Sequence, residues 1–144
     1  MHRLDTQIDI AASVERVWSI LIDFPGHARW NPFVRSIAGT PAVGESLDVF
    51  LQPPGSRGMR LRPKVLAVEP PREFRWKGKL ILPGLFDGEH FFRLEPKGPQ
   101  RTVFHHGEVF SGILVPFLER MLDGSTRQGF LAMNEAIKRE AEGG

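Results

Sequence analysis

The sequence predicts an α+β fold in which a curved antiparallel sheet of about seven strands wraps a long C-terminal helix, in the order β-α-α-β6-α. Three observations predict it. The chain opens on a strictly alternating stretch followed by an amphipathic helical one. Its middle carries six further alternating runs separated by short Pro/Gly turns. From Pro116 almost to the end, apolar residues recur at helical spacing. No linker or repeat divides the 144 residues, so residues 1–144 are read as a single domain.

Leu4, Thr6, Ile8 and Ile10 lie on one side of the first strand, with Arg3, Asp5, Gln7 and Asp9 on the other. Ser13 is placed to cap the helix that follows. Val14, Val17, Trp18 and Leu21 form its inward stripe. Burying Trp18 there contributes on the order of 2–3 kcal/mol. Phe24-Pro25-Gly26 ends the helix, and Asp23 is expected to cap the next turn through its carboxylate. Trp30-Asn31-Pro32-Phe33 reads either as a rigid turn or as the rim of a pocket.

The period then becomes two. Val34 to Ala38 reads as a strand. Leu47, Val49 and Leu51 share a face, as do Met59, Leu61 and Val65 in one continuous run, and Phe74, Trp76, Gly78 and Leu80 in another. His90, Phe92 and Leu94 follow, then Thr102, Phe104, His106, Glu108 and Phe110. A twisted sheet must bury its apolar face, and the C-terminal helix (Leu118, Met121, Leu122, Phe130, Met133, Ile137) is the large element left to cover it. Gly124 and Gly129 weaken that helix, and a kink is expected near Asp123-Gly124. A bent sheet around one helix tends to leave a cavity, a common place for a small ligand.

Composition narrows the chemistry. There is no Cys, which removes disulfides, thiolate nucleophiles and zinc–thiolate sites, and no Tyr. Proton transfer therefore falls to His, Asp, Glu, Lys or Arg. With 19 Lys and Arg against 17 Asp and Glu, the formal net charge is only +2, so no nucleic-acid partner is expected. No apolar run approaches the ~20 residues of a membrane span, and the N-terminus has no apolar signal region. The expected setting is cytoplasmic, without integral membrane association, as a monomer or homodimer.

His90 and Glu108 are the sharpest features, each an ionisable residue on an apolar strand face. A buried carboxylate needs a donor or a proton, and His90 or His106 can supply one. The pair then orders the core, anchors a ligand's polar end, or works as a general acid and base. His106, Glu108 and His90 would suffice as metal ligands, but nothing in the spacing demands a metal, and no metal or cofactor is expected. Arg60, Arg62 and Lys64 with Arg75, Lys77 and Lys79 form a basic stripe, expected on the solvated outer face. Phe50 and Phe91 are expected to be exposed there.

Local sequence adds a resemblance. Ile8-Asp9-Ile10-Ala11-Ala12-Ser13-Val14-Glu15-Arg16-Val17-Trp18, Leu21-Ile22-Asp23-Phe24 and Trp30-Asn31-Pro32-Phe33-Val34 are similar to the SRPBCC superfamily, which spans START, allergen and polyketide cyclase/dehydrase-like proteins. Phe74-Arg75-Trp76-Lys77-Gly78, Gly88-Glu89-His90-Phe91-Phe92 and Glu108-Val109-Phe110-Ser111-Gly112 resemble its cyclase/dehydrase-like branch. The resemblance covers nearly the whole chain. It implies a helix-grip fold that binds an aromatic, polyketide-like or acyl compound. Leu61, Phe74, Trp76, Leu80, Phe92, Phe110 and Met121 are the expected apolar contacts, with His90, His106 and Glu108 as polar ones. Two alternatives stay open. One is a cyclase or dehydratase using His90 and Glu108. The other is a protein-interaction or chaperone co-factor domain whose interior is filled.

Overall fold

The computed structural model describes residues 1–79 and 82–143. Among the described residues, eight strands and four α-helices follow one another as β1 (His2–Ile10), α1 (Val14–Leu21), α2 (His27–Trp30), β2 (Val34–Ala38), β3 (Asp48–Leu51), β4 (Met59–Leu61), β5 (Lys64–Glu69), β6 (Glu73–Lys79), β7 (Asp87–Gly98), β8 (Arg101–Ser111), α3 (Val115–Met121) and α4 (Arg127–Glu142). This is the helix-grip architecture: a curved antiparallel sheet closed by the C-terminal helix.

Hydrogen bonding divides the strands into a five-stranded sheet, β1-β8-β7-β6-β5, and a three-stranded one, β2-β3-β4. The run Met59 to Val65, expected as one strand, is two. Pro63 interrupts it, since proline cannot donate to a ladder, and β4 and β5 fall in different sheets. The backbone bonds Gly44 N to Val65 O, Val65 N to Glu45 O and Leu47 N to Pro63 O stitch the two sheets into one bent surface.

Local chemistry accounts for the element ends. Ser13 Oγ accepts the Arg16 N–H and caps α1, whose buried stripe is Val17, Trp18 and Leu21. Asp23 does not cap the turn that follows: Phe24–Gly26 is a 3₁₀ turn with no side-chain cap. The work expected of Asp23 is done by Asn31, fully buried, whose Oδ1 accepts the N–H groups of both Phe33 and Val34 at 2.9 Å. Its Nδ2 donates to His27 Nδ1, and His27 Nε2–H donates to the Leu21 carbonyl at 2.6 Å. The Trp30–Phe33 stretch is thus a hydrogen-bonded turn that aims Phe33 into the interior.

The expected kink is a π-helical turn, Leu122–Thr126, joining α3 to α4. Below α4 the core is solid: Phe130, Met133 and Ile137 are buried with Phe33, Phe74, Phe92 and Phe104. Gly129 faces Phe33, and a Cβ there would lie 2.5 Å from the ring's Cδ1. Helix propensity favours Gly129→Ala by about 1 kcal/mol. The overlap opposes it by about 1–3 kcal/mol. A net lowering of the urea midpoint is expected in equilibrium unfolding.

The outer face holds a correction. Phe91 is not exposed but 3% accessible, lying opposite Gly107 beneath the guanidinium groups of Arg3 and Arg75, at 5.4 and 5.0 Å from its ring centre. Phe50 is half-buried under Arg60.

Candidate functional site

Alternation puts His90 of β7 and His106 and Glu108 of β8 on the inward face, and antiparallel register sets His90 directly opposite Glu108. Glu108 Oε1 lies 3.0 Å from His90 Nδ1. His90 Nε2 lies 2.7 Å from His106 Nε2. The chain of contacts continues where the sequence offered no pointer. His106 Nδ1 meets Asn134 Oδ1 of α4 at 2.9 Å, Asn134 Nδ2 donates to Thr6 Oγ1 of β1 at 2.9 Å, and Thr6 Oγ1 donates to the His106 carbonyl at 2.6 Å. Asn134 was missed because it sits within the apolar stripe of α4, where only the approach of β8 reveals a partner. Thr6 was visible only as one more inward position of β1.

Both imidazoles sit in an aromatic box. His90 stacks on Trp76 at 5.0 Å, and His106 lies nearly parallel to Phe130 at 4.2 Å. Both are completely buried. Burial, reinforced by the neighbouring His90, holds His106 well below the ordinary histidine range.

Glu108 differs: its side chain remains 14% exposed and opens onto empty space. A cavity of about 200 Å³ lies between β3–β4, the end of β8 and the α3–π-turn segment, walled by Phe33, Leu51, Leu61, Phe86, Phe110 and Leu122 with Glu108 among them. A smaller chamber of about 40 Å³ shares Leu51, Leu61, Phe86 and Glu108 and adds Trp76, Gly78 and Gly88. Gly78 and Gly88 are cross-strand partners, so its floor is bare backbone. A Cβ on Gly78 would meet nothing nearer than 3.9 Å, whereas one on Gly88 would overlap Glu108 Oε2 and lie 3.1 Å from its Cδ.

The hollow is therefore at the α3 end of the C-terminal helix, not along its length. Leu61 and Phe110 line it, Trp76 walls the chamber, and Met121 stands half-exposed at the mouth. Phe74 and Phe92, expected as ligand contacts, are in solid core: both are 1% exposed and face Phe24, Trp76, Phe104 and each other. His90 and His106 do not reach the cavity either; they stand behind Glu108. Leu80 lies outside the described residues. Phe33, from the stretch expected as a turn or a pocket rim, lines the cavity, and Leu51, Phe86 and Arg57, not among the expected contacts, line it too.

The basic stripe is split. Arg60 pairs with Asp48, and Arg75 with Glu73 and Glu89. Arg62, Lys64, Lys77 and Lys79 gather on an open hollow of about 380 Å³ with Asp87. Among the described residues no group of three or more His, Asp or Glu side chains is arranged to hold a metal ion, and no helix is long and apolar enough to cross a membrane.

Fold and site together define a helix-grip domain with an apolar cavity. The chain belongs to the family described as polyketide cyclase / dehydrase and lipid transport, whose model matches residues 1–142, within the SRPBCC/START-like superfamily. Solved structures share the fold at low identity. The Zhui aromatase/cyclase from Streptomyces sp. R1128 has a TM-score of 0.77 at 17% identity, over 98% of this chain and 93% of that one. Protein MLL2253 from Mesorhizobium loti has 0.76 at 22%, over 98% and 97%. Norcoclaurine synthase from Thalictrum flavum, solved with dopamine and hydroxybenzaldehyde, has 0.74 at 16%, over 99% and 87%. No curated protein sequence matches the chain.

Proposed function

We propose that the protein binds a small apolar compound, ring-containing or acyl, in the cavity beside α3, with Glu108 as the polar group on its wall. The observation that carries this is a carboxylate opening onto an otherwise largely apolar hollow and braced from behind by buried imidazoles. At about 200 Å³ the room is smaller than most ligand pockets and suits one or two rings or a short acyl chain. The complex of norcoclaurine synthase with two single-ring aromatics supports a compound of that kind. A filled interior would support the interaction-domain reading; the cavity supports ligand binding.

Native mass spectrometry of freshly purified protein is expected to show a retained small molecule. Of the three tryptophans only Trp76 lines the chamber. Ligand titration is therefore expected to change tryptophan fluorescence in the wild type. In Trp76→Phe that change should vanish, and calorimetric affinity should weaken by about three- to tenfold. Titrations identical in both proteins would remove the compound from this cavity.

The 3.0 Å contact of Glu108 with His90 also favours an acid–base reading, with His90 and Glu108 as the acid–base groups that enolise a bound ketone or assist loss of water. A pH–rate profile unchanged by substitution of both residues would exclude it.

A further inference from the structure

The hydrogen-bond chain behind Glu108 can be solved for its protons, and the solution names the ligand chemistry. A carbonyl only accepts, so the single Thr6 hydroxyl proton goes to the His106 oxygen. Thr6 Oγ1 must then accept from Asn134 Nδ2, which turns Asn134 Oδ1 toward His106. An amide oxygen also only accepts, so His106 Nδ1 carries a hydrogen. Between His106 and His90, at 2.7 Å, one nitrogen must donate. Between His90 and Glu108, at 3.0 Å, one proton must again lie. Three contacts therefore hold three protons on two imidazoles and one carboxyl group. Two neutral imidazoles own two of them, and the third neutralises the carboxylate. The unit has no net charge, whichever partner of each contact carries the hydrogen.

Every proton in that count is engaged in a contact behind Glu108. None is left for Oε2, which lies over Gly88 on the wall of the chamber. Adding one would put a net positive charge on a unit whose two imidazoles are fully buried, which is costly. Removing one would set two lone pairs against each other within 3.0 Å.

We infer that Glu108 Oε2 is a hydrogen-bond acceptor with no donor form in the resting site. The cavity then selects apolar compounds that bear a hydroxyl, phenol or amine N–H over the bare hydrocarbon, and disfavours the corresponding carboxylate. Thr6 and Asn134 are positioning residues: they fix which nitrogen of His106 is protonated and so orient the chain. This rests on the cavity reading above.

The test uses three two-ring probes that differ only in their polar group: 2-naphthol, naphthalene and 2-naphthoate, titrated calorimetrically at neutral pH. Naphthol is expected to bind about three- to tenfold tighter than naphthalene, as for a hydrogen bond to an acceptor in a unit without net charge, and naphthoate weakest. Glu108→Leu should abolish the naphthol preference. Glu108→Gln should keep it, because an amide N–H donated to neutral His90 leaves the amide oxygen facing the chamber. Equal binding of naphthol and naphthalene by the wild type, or loss of the preference in Glu108→Gln, overturns the assignment. Tightest binding of naphthoate would move the polar anchor to Arg57 at the mouth and also overturn it. Binding of none of the three overturns the cavity reading itself. A ligand-free measurement separates the two: ¹⁵N–¹H correlation spectra of the imidazoles should show His106 protonated at Nδ1. A bare Nδ1 in the wild type overturns the proton count whatever the titrations give.

Discussion

Lowering the pH from 7 to 5 is expected to lower folding stability measurably, mostly above the range in which ordinary carboxylates titrate. Two buried histidines are responsible. His27 is held below its ordinary range by burial, against the opposing bond to the Leu21 carbonyl. His106 is held well below it by burial and by His90. A histidine whose affinity for protons is lower in the folded state than in the unfolded one stabilises the fold at pH values above its unfolded pKa. That contribution is lost as pH falls below about 6.5, because the unfolded chain takes up the proton first. The slope is at most about 1.4 kcal/mol per pH unit for each histidine. A domain with a total of about 5–15 kcal/mol feels this strongly. The carboxylates that ion pairs and hydrogen bonds hold low, among them Glu140 beside Arg29 and Glu142 on the Ala11 N–H, lose their contributions only at lower pH. Urea unfolding between pH 7 and 5 therefore isolates the histidines. His27→Gln, whose amide can still donate to Leu21, should remove one share of the slope, and His106→Asn the other. A stability independent of pH across that range would contradict the burial argument.

Gly88→Ala is expected to disable the site while a neighbouring substitution of the same size spares the fold. The new methyl group would occupy the place of the Glu108 carboxylate, which must swing away from His90. That breaks the 3.0 Å contact and leaves a buried His90 nitrogen without its partner, at a cost of about 1–3 kcal/mol. Any affinity that depends on the carboxylate should fall with it, by tenfold or more at that same energetic scale. Gly78→Ala is the control. Its methyl group would touch Leu61 and Pro63 at an ordinary 3.9 Å. It should leave the unfolding midpoint near wild type while filling part of the chamber and weakening ligands that reach it. Equal effects of the two substitutions on midpoint and affinity would mean that Glu108 does not depend on the bare floor.

What could be read without coordinates was whatever obeys a local period. Side chains alternate across a strand, so His90, His106 and Glu108 had to share the inward face once β7 and β8 were recognised. Ser13 capped α1 for an equally local reason. The failures are of another kind. Phe74 and Phe92 have the same periodicity as Phe110, yet only Phe110 borders empty space. The difference lies in what Phe24 and Phe104 bring from other elements to fill the gap. Asp23 has the local pattern of a cap, yet the turn it precedes has no side-chain cap, and nothing local marks Asn134, whose partners come from β8 and β1.

Strand periodicity, turn residues and the absence of cysteine and tyrosine were enough to establish the class of fold, the inward face and the acid–base groups available to it. Packing alone decided where the interior stays empty, that two imidazoles sit behind the carboxylate and not beside the ligand, and that β1 and α4 supply the threonine and asparagine that orient them. The reason is range. The direction of a side chain follows from its nearest neighbours in sequence, whereas a cavity and a proton order depend on volumes and donors that meet only when distant segments of the chain are brought into contact.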